Sequence, residues 1–159
     1  MKSLHVSIAD QTLRLMEDGH TLEAYSVSTA LKGAGEQSGS EQTPRGAHVV
    51  RAKIGAGMPS GTVFRGRRPT GEVWSQDLQA QYPARDWILT RILWLSGTEV
   101  GRNRLGNCDS MRRYIYIHGT PDSEPMGLPR SHGCIRMRNA DIIDLFDRVP
   151  AFTPVYIDE

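Results

Sequence analysis

The chain has 159 residues, enough for a single domain (1–159) with a real core and too few for several. Hydrophobic residues make up 38% and charged residues 23%, as in an ordinary globular protein, and the formal net charge of +1 gives no overall field toward nucleic acid or an anionic membrane. Arg65, Arg67 and Arg68 form a local basic run, but no aromatic residues alternate with it as a base-stacking platform requires, so it reads as a solvated loop.

The N-terminus, Met1 to Ile8, alternates apolar and polar residues like a half-buried strand and has no continuous apolar region or small-residue cleavage site. No segment approaches the roughly 18 apolar residues a bilayer span needs, so membrane insertion is not expected. The expectation is a cytoplasmic protein, or a periplasmic one if a leader has been removed. Leu4-Val6-Ile8 and Leu13-Leu15 read as two strands of a hairpin turning at Asp10-Gln11, and Leu22 to Thr29 as a third strand. Gly33 to Gly46 reads as a loop, Ala47 to Lys53 as a strand, and Gly55 to Gly71 as a long connection. Trp87 to Leu95 is the strongest apolar run and reads as a buried strand, followed by a turn-rich Gly97 to Asp109. Arg113 to His118 alternates, with Ile115 and Ile117 on one face and Tyr114, Tyr116 and His118 on the other, either cleft wall or core for the tyrosines. Asn139 suits a helix N-cap and Asp141 its first turn; Ile142, Leu145, Phe146 and Val149 form a helical stripe that Pro150 ends. Pro154 to Ile157 closes the chain as a last strand. The fold class is mainly β, a sandwich or barrel-like core with long loops and one clear C-terminal helix.

The chemistry concentrates in Ser131-His132-Gly133-Cys134-Ile135-Arg136, with His118 sixteen positions before Cys134. A thiolate is the reactive form of cysteine, and a nearby histidine, arginine and helix-terminal dipole all favour it. The intervening segment carries Pro121, Pro125, Gly127 and Pro129 and is long enough to fold back and bring Cys134 within hydrogen-bond reach of His118. The imidazole would take the thiol proton, the sulfur would attack a carbonyl, and the imidazolium would protonate the leaving amine. Gly133 lets backbone N–H groups approach a developing oxyanion. Cys108 reads as a loop or packing residue, and both cysteines as free thiols. His5, His20 and His48 read as structural or exposed, and the three tryptophans as packing residues.

His118-Gly119-Thr120 followed by Ser131-His132-Gly133-Cys134-Ile135-Arg136-Met137 closely resembles the catalytic signature of the YkuD-type L,D-transpeptidases. Thr43-Pro44-Arg45-Gly46 is similar to the family's TPxG turn, Arg113 to Ile117 to the strand before its histidine, and Thr153-Pro154-Val155 to its ending. The resemblance implies a YkuD-type β fold with a catalytic cleft. It also implies a cysteine enzyme cutting between an L-configured centre and D-alanine in peptidoglycan stems. It makes Cys134 the nucleophile and His118 the base and acid, oriented by the Gly119 carbonyl, with the Gly133 and Cys134 amides as oxyanion hole. Ser131, His132 and Tyr116 would shape the substrate pocket, and Arg136 would meet a substrate carboxylate. No metal or organic cofactor is implied; the partners are a tetrapeptide stem or muropeptide and, as covalent inhibitors, β-lactams of the carbapenem class. Wall cross-linking members are usually exported, so a cytoplasmic location favours L,D-carboxypeptidase action in muropeptide recycling, with transpeptidation to an amine as the alternative. Readings of other classes are a structural zinc site from Cys108, His118, His132 and Cys134, a non-catalytic peptidoglycan binder, and a cysteine amidase acting on ordinary L-peptides.

Overall fold

Alternating burial organises the first two strands of the computed structural model, which describes residues 1–159. In β1 (Lys2–Ser7) and β2 (Thr12–Glu17), Leu4 lies opposite Leu15 and Val6 opposite Leu13, all four inside the core. β3 (His20–Ser28) continues the meander, as the spacing of its apolar residues predicts. β4 (Gly46–Ile54) pairs with the last strand, β10 (Pro154–Asp158), and with β7 (Ile88–Gly97). β8 (Tyr116–Gly119) and β9 (Ile135–Met137) lie side by side between β7 and β3. The order β4-β10-β1-β2-β3-β9-β8-β7, with β7 pairing back onto β4, closes the sheet on itself. Strand accounts for 43% of residues and helix for 10%, so the mainly β reading holds.

The core fills this closed sheet. Leu13, Val27, Leu93, Ile117, Ile135 and Met137 are among its buried members. α2 (Asn139–Arg148) seals it with Ile142, Leu145 and Phe146, the stripe read from the sequence. No helix is long and apolar enough to cross a membrane.

Four details differ from the sequence expectation. The Gly55 to Gly71 connection contains a hairpin, β5 (Thr62–Arg65) and β6 (Arg68–Val73), attached to the edge of β7 just beyond β4. Its two-residue turn, Gly66-Arg67, has φ +57° and +63°, the left-handed pair that matches strand twist. A short helix, α1 (Gln76–Gln81), forms because Ser75 Oγ accepts the Leu78 amide at 3.0 Å; it buries no residue, so no apolar period announces it. The expected strand from Arg113 begins only at Tyr116, because Tyr114 adopts φ +57° and breaks the alternation. Finally, Arg138 occupies the N-cap of α2 without a side-chain cap bond, while Asn139 is turned inward against Thr90 and Asp122.

Candidate active site

β8 and β9 are parallel, with Ile117 beside Ile135 and His118 beside Arg136. Since side chains alternate along each strand, Ile117, Ile135 and Met137 enter the core while His118 and Arg136 face away from it. Cys134, two positions before Arg136, shares that outer face with Tyr116 and His118. All four line a cavity of about 410 Å³, together with Asp86, Arg67, Arg113, Tyr114, Ser131 and His132.

His118 is buried, 1% exposed, and its Nδ1 lies 2.6 Å from the Gly119 carbonyl oxygen. That oxygen can only accept, so Nδ1 carries the proton and Nε2 is left as the basic nitrogen. Only glycine fits at position 119: a Cβ there would stand 2.6 Å from the Leu89 carbonyl oxygen. Burial holds the imidazole below its usual 6.5, against the opposing pull of Asp86 and the Gly119 carbonyl.

Cys134 is half-buried at the end of the turn. Its thiol donates to the Tyr114 carbonyl at 3.3 Å and accepts the Tyr116 amide at 3.3 Å. Burial pushes it up to about 12; the Tyr116 amide and the guanidiniums of Arg136 and Arg113 pull the other way. At rest the pair is therefore a neutral thiol and a neutral imidazole on one cavity wall. The expected thiol–imidazole hydrogen bond is not made; the S–H is held by Tyr114 and must swing to Nε2 before attack.

The turn itself is tied down from several sides. Gly133 has φ +129°, open only to glycine. Its carbonyl accepts from Thr43 Oγ1 at 3.0 Å, and Thr43 Oγ1 also accepts the Ala30 amide at 2.9 Å. This is the physical content of the Thr43-Pro44-Arg45-Gly46 segment. Ser131 Oγ donates to the Cys134 carbonyl and accepts the Gly133 amide at 3.2 Å, so Ser131 braces the turn from a buried position. The Gly133 amide is thus engaged, and the Cys134 amide is the one left without an acceptor for a developing oxyanion.

Arg136, 8% exposed, does not present a free fork: Nη2 donates to Asp86 at 3.1 Å. The second Asp86 oxygen lies 3.6 Å from His132 Nδ1, and the His132 side chain is otherwise well exposed. Asp86 was not legible in the sequence, because it stands in the irregular stretch between α1 and β7 with no motif around it. Tyr116 packs with Phe64 and Ile92 beneath Cys134, and Tyr114, 52% exposed, forms the rim; both tyrosines are cleft wall. Trp94 packs behind that wall, against Tyr114 and Tyr116, with the Arg67 guanidinium over its ring. His48 is buried between the Gly46 carbonyl and Ser110 Oγ, a structural role. No three His, Cys, Asp or Glu side chains converge as a metal site, and Cys108 lines a different cavity from Cys134, so the zinc alternative is not assembled.

The family model of the YkuD L,D-transpeptidase catalytic domain matches residues 1–157. The probable L,D-transpeptidase YbiS of Escherichia coli is 52% identical over 48 residues, 30% of this chain and 16% of that protein. In fold, the chain is similar to the L,D-transpeptidase of Xylanimonas cellulosilytica, with TM-score 0.61 and 22% identity over 99% of this chain and 60% of that one. It is similar also to the L,D-transpeptidase LdtMt1 in its complex with imipenem, with TM-score 0.59 and 20% identity over 99% and 58%. The chain thus spans less than two thirds of these relatives' lengths. With a match running through β1 to β10 and a closed sheet that sets Cys134 and His118 on one wall, the chain belongs to the family of YkuD L,D-transpeptidase catalytic domains.

Proposed function

We propose that this chain is a cysteine enzyme that cuts the bond between the L-configured centre and the terminal D-alanine of a peptidoglycan tetrapeptide stem. The observation that carries the reading is the shared face of β8 and β9. It sets a thiol, an imidazole with its basic nitrogen free and an uncommitted Cys134 amide around one cavity. His118 Nε2 takes the Cys134 proton as sulfur attacks the scissile carbonyl. The Cys134 amide receives the oxyanion, and the imidazolium returns the proton to the departing D-alanine nitrogen. A thioester remains on Cys134.

Water is the proposed acceptor, making the enzyme an L,D-carboxypeptidase of muropeptide turnover. The support is that Cys134 is only half-buried beside an exposed Tyr114, so a thioester there stays within reach of solvent. Transfer to an amine is the second reading. It is favoured by a neighbouring cavity of about 320 Å³ that shares Arg113 and His132 with the first and offers room for an acceptor. The test is mass spectrometry of a disaccharide-tetrapeptide incubated with the protein, with and without excess D-methionine. Tripeptide in both reactions supports hydrolysis; a D-methionine-exchanged tetrapeptide supports transfer. Product from Cys134→Ala would sink both. The imipenem complex of the relative supports expecting a carbapenem to acylate Cys134 as well.

A further inference from the structure

Three guanidiniums face the Cys134 cavity, and one of them keeps donors free of protein acceptors. Arg113 gives its donors to the Gly35 and Gln42 carbonyls and to Ser40 Oγ, holding the loop that carries Thr43. Arg136 is committed to Asp86. Arg67 makes one hydrogen bond, from Nη1 to the Tyr116 hydroxyl at 3.1 Å. Its guanidinium carbon lies 4.9 Å from the Trp94 ring centre and 4.6 Å from that of Tyr114. Lying over two rings holds the guanidinium in place without consuming N–H groups. Nε and Nη2 remain as donors in a pre-oriented fork at the cavity wall.

The basic run read from the sequence as a solvated loop therefore divides. Arg65 and Arg68 are exposed and lie outside the cavity, whereas the left-handed turn at the hairpin tip carries Arg67 over its rim. A non-glycine residue held at φ +63° costs about 1 kcal/mol, and it is held there at the wall of the Cys134 cavity.

Distance selects which substrate group Arg67 can meet. The Tyr116 amide holds the Cys134 sulfur at 3.3 Å, and the Tyr116 hydroxyl holds Arg67. Arg67 and the Cys134 thiol are thus held at opposite ends of Tyr116, its hydroxyl and its amide. The carboxylate of the departing D-alanine is separated from the scissile carbonyl only by a nitrogen and a Cα, which keeps it close to the thiol end of Tyr116. A carboxylate at the end of the side chain on the residue that owns the scissile carbonyl reaches farther, toward the hydroxyl end where Arg67 lies.

We infer that Arg67 is a substrate-binding residue that reads a side-chain carboxylate on the third stem residue, and so selects diaminopimelate over lysine at that position. The inference rests on the acyl-donor reading given under Proposed function. Its test measures binding by calorimetry in the Cys134→Ala protein, where no turnover intervenes. Four tetrapeptides are compared: the diaminopimelate stem, that stem amidated on the third-residue side chain, that stem amidated on the second residue's free carboxylate, and the lysine stem. Amidation at the third residue, or lysine there, weakens binding by about tenfold to a hundredfold; amidation at the second residue changes little. Adding Arg67→Gln, which can still donate to Tyr116, brings the four affinities together, and Arg67→Lys keeps part of the discrimination.

Equal weakening of all four stems by Arg67→Gln would make Arg67 a brace of the cavity wall and overturn the inference. So would equal binding of the four stems when Arg67 is present. Sensitivity to the second residue alone would assign the fork to the neighbouring carboxylate and overturn the third-residue assignment. Turnover by the protein with Cys134 intact, run in parallel, separates the two claims. Arg67-dependent binding without product removes the acyl-transfer reading and leaves only the carboxylate recognition by Arg67; product formed without discrimination keeps the acyl-transfer reading and overturns the inference.

Discussion

Cys134 and His118 are displaced in opposite directions by the same cause. Burial disfavours whichever form is charged, so the thiol rises to about 12 and the imidazole falls below 6.5. A resting thiolate–imidazolium pair would require the reverse of both shifts. The neutral pair fixes the sign of two pH dependences. The base form of His118 is lost only as pH falls through its lowered value, so the acid limb of kcat/KM lies below pH 6.5. The alkylation rate of Cys134 by iodoacetamide, without substrate, tracks the thiolate fraction and keeps climbing above the ordinary thiol value of about 8.5. A rate that levels off near neutrality would show a preformed ion pair and contradict this arrangement. In the same series His118→Ala lowers kcat/KM on the order of 10²–10⁴, while an unchanged value would remove His118 from proton transfer.

At the scale of elements, β4 and α2 meet through one lysine. Lys53 Nζ donates to the Phe146 carbonyl at 2.7 Å and the Val149 carbonyl at 2.8 Å, and lies 4.3 Å from the centre of the Phe146 ring. It meets the negative end of the helix and satisfies carbonyls that have no intrahelical partner. Lys53→Met keeps the stem and removes the charge. It is expected to lower stability by about 1–2 kcal/mol, read as a shift of the urea midpoint with an unchanged slope; no shift would mean that solvent serves those carbonyls equally well. The helix itself was legible, because Ile142, Leu145 and Phe146 repeat at its period, and so were β1 and β2, which alternate cleanly. The β5–β6 hairpin was hidden because its turn residue at positive φ is an arginine, and glycines at 55, 57, 61 and 66 read as loop. β9 was hidden by brevity: Ile135–Met137 is three residues long and gains its place from β8 and β3 on either side. The site was legible in its motif and less so in its partners. Neither Asp86 nor the tip of the hairpin has a local pattern that announces a place in the wall of the Cys134 cavity.

Across the whole molecule, two strand pairs are parallel, β1 with β10 and β8 with β9. A parallel neighbour requires a crossover, so residues 120–134 leave the far end of β8 and return beside its start. Cys134 accordingly arrives next to Tyr116, with His118 two positions further along the same face. A turn delivered by so long a connection has little local reason to hold its shape, and distant segments supply it. Thr43, fully buried, joins the Ala30 amide after β3 to the Gly133 carbonyl before β9 through one hydroxyl. The Ala30 bridge to Ser131 runs alongside. Thr43→Val keeps the shape and strands both groups away from water, at a cost of about 2–4 kcal/mol. Thr43→Ser keeps the hydroxyl and should recover most of that loss. Because the tether ends on the residue before the nucleophile, the valine variant should also lose kcat at temperatures where it remains fully folded, and the serine variant should not. A Thr43→Val protein with lowered stability but unchanged kcat would show that the Gly133-Cys134 turn keeps its geometry unaided, leaving Thr43 a role in the fold alone.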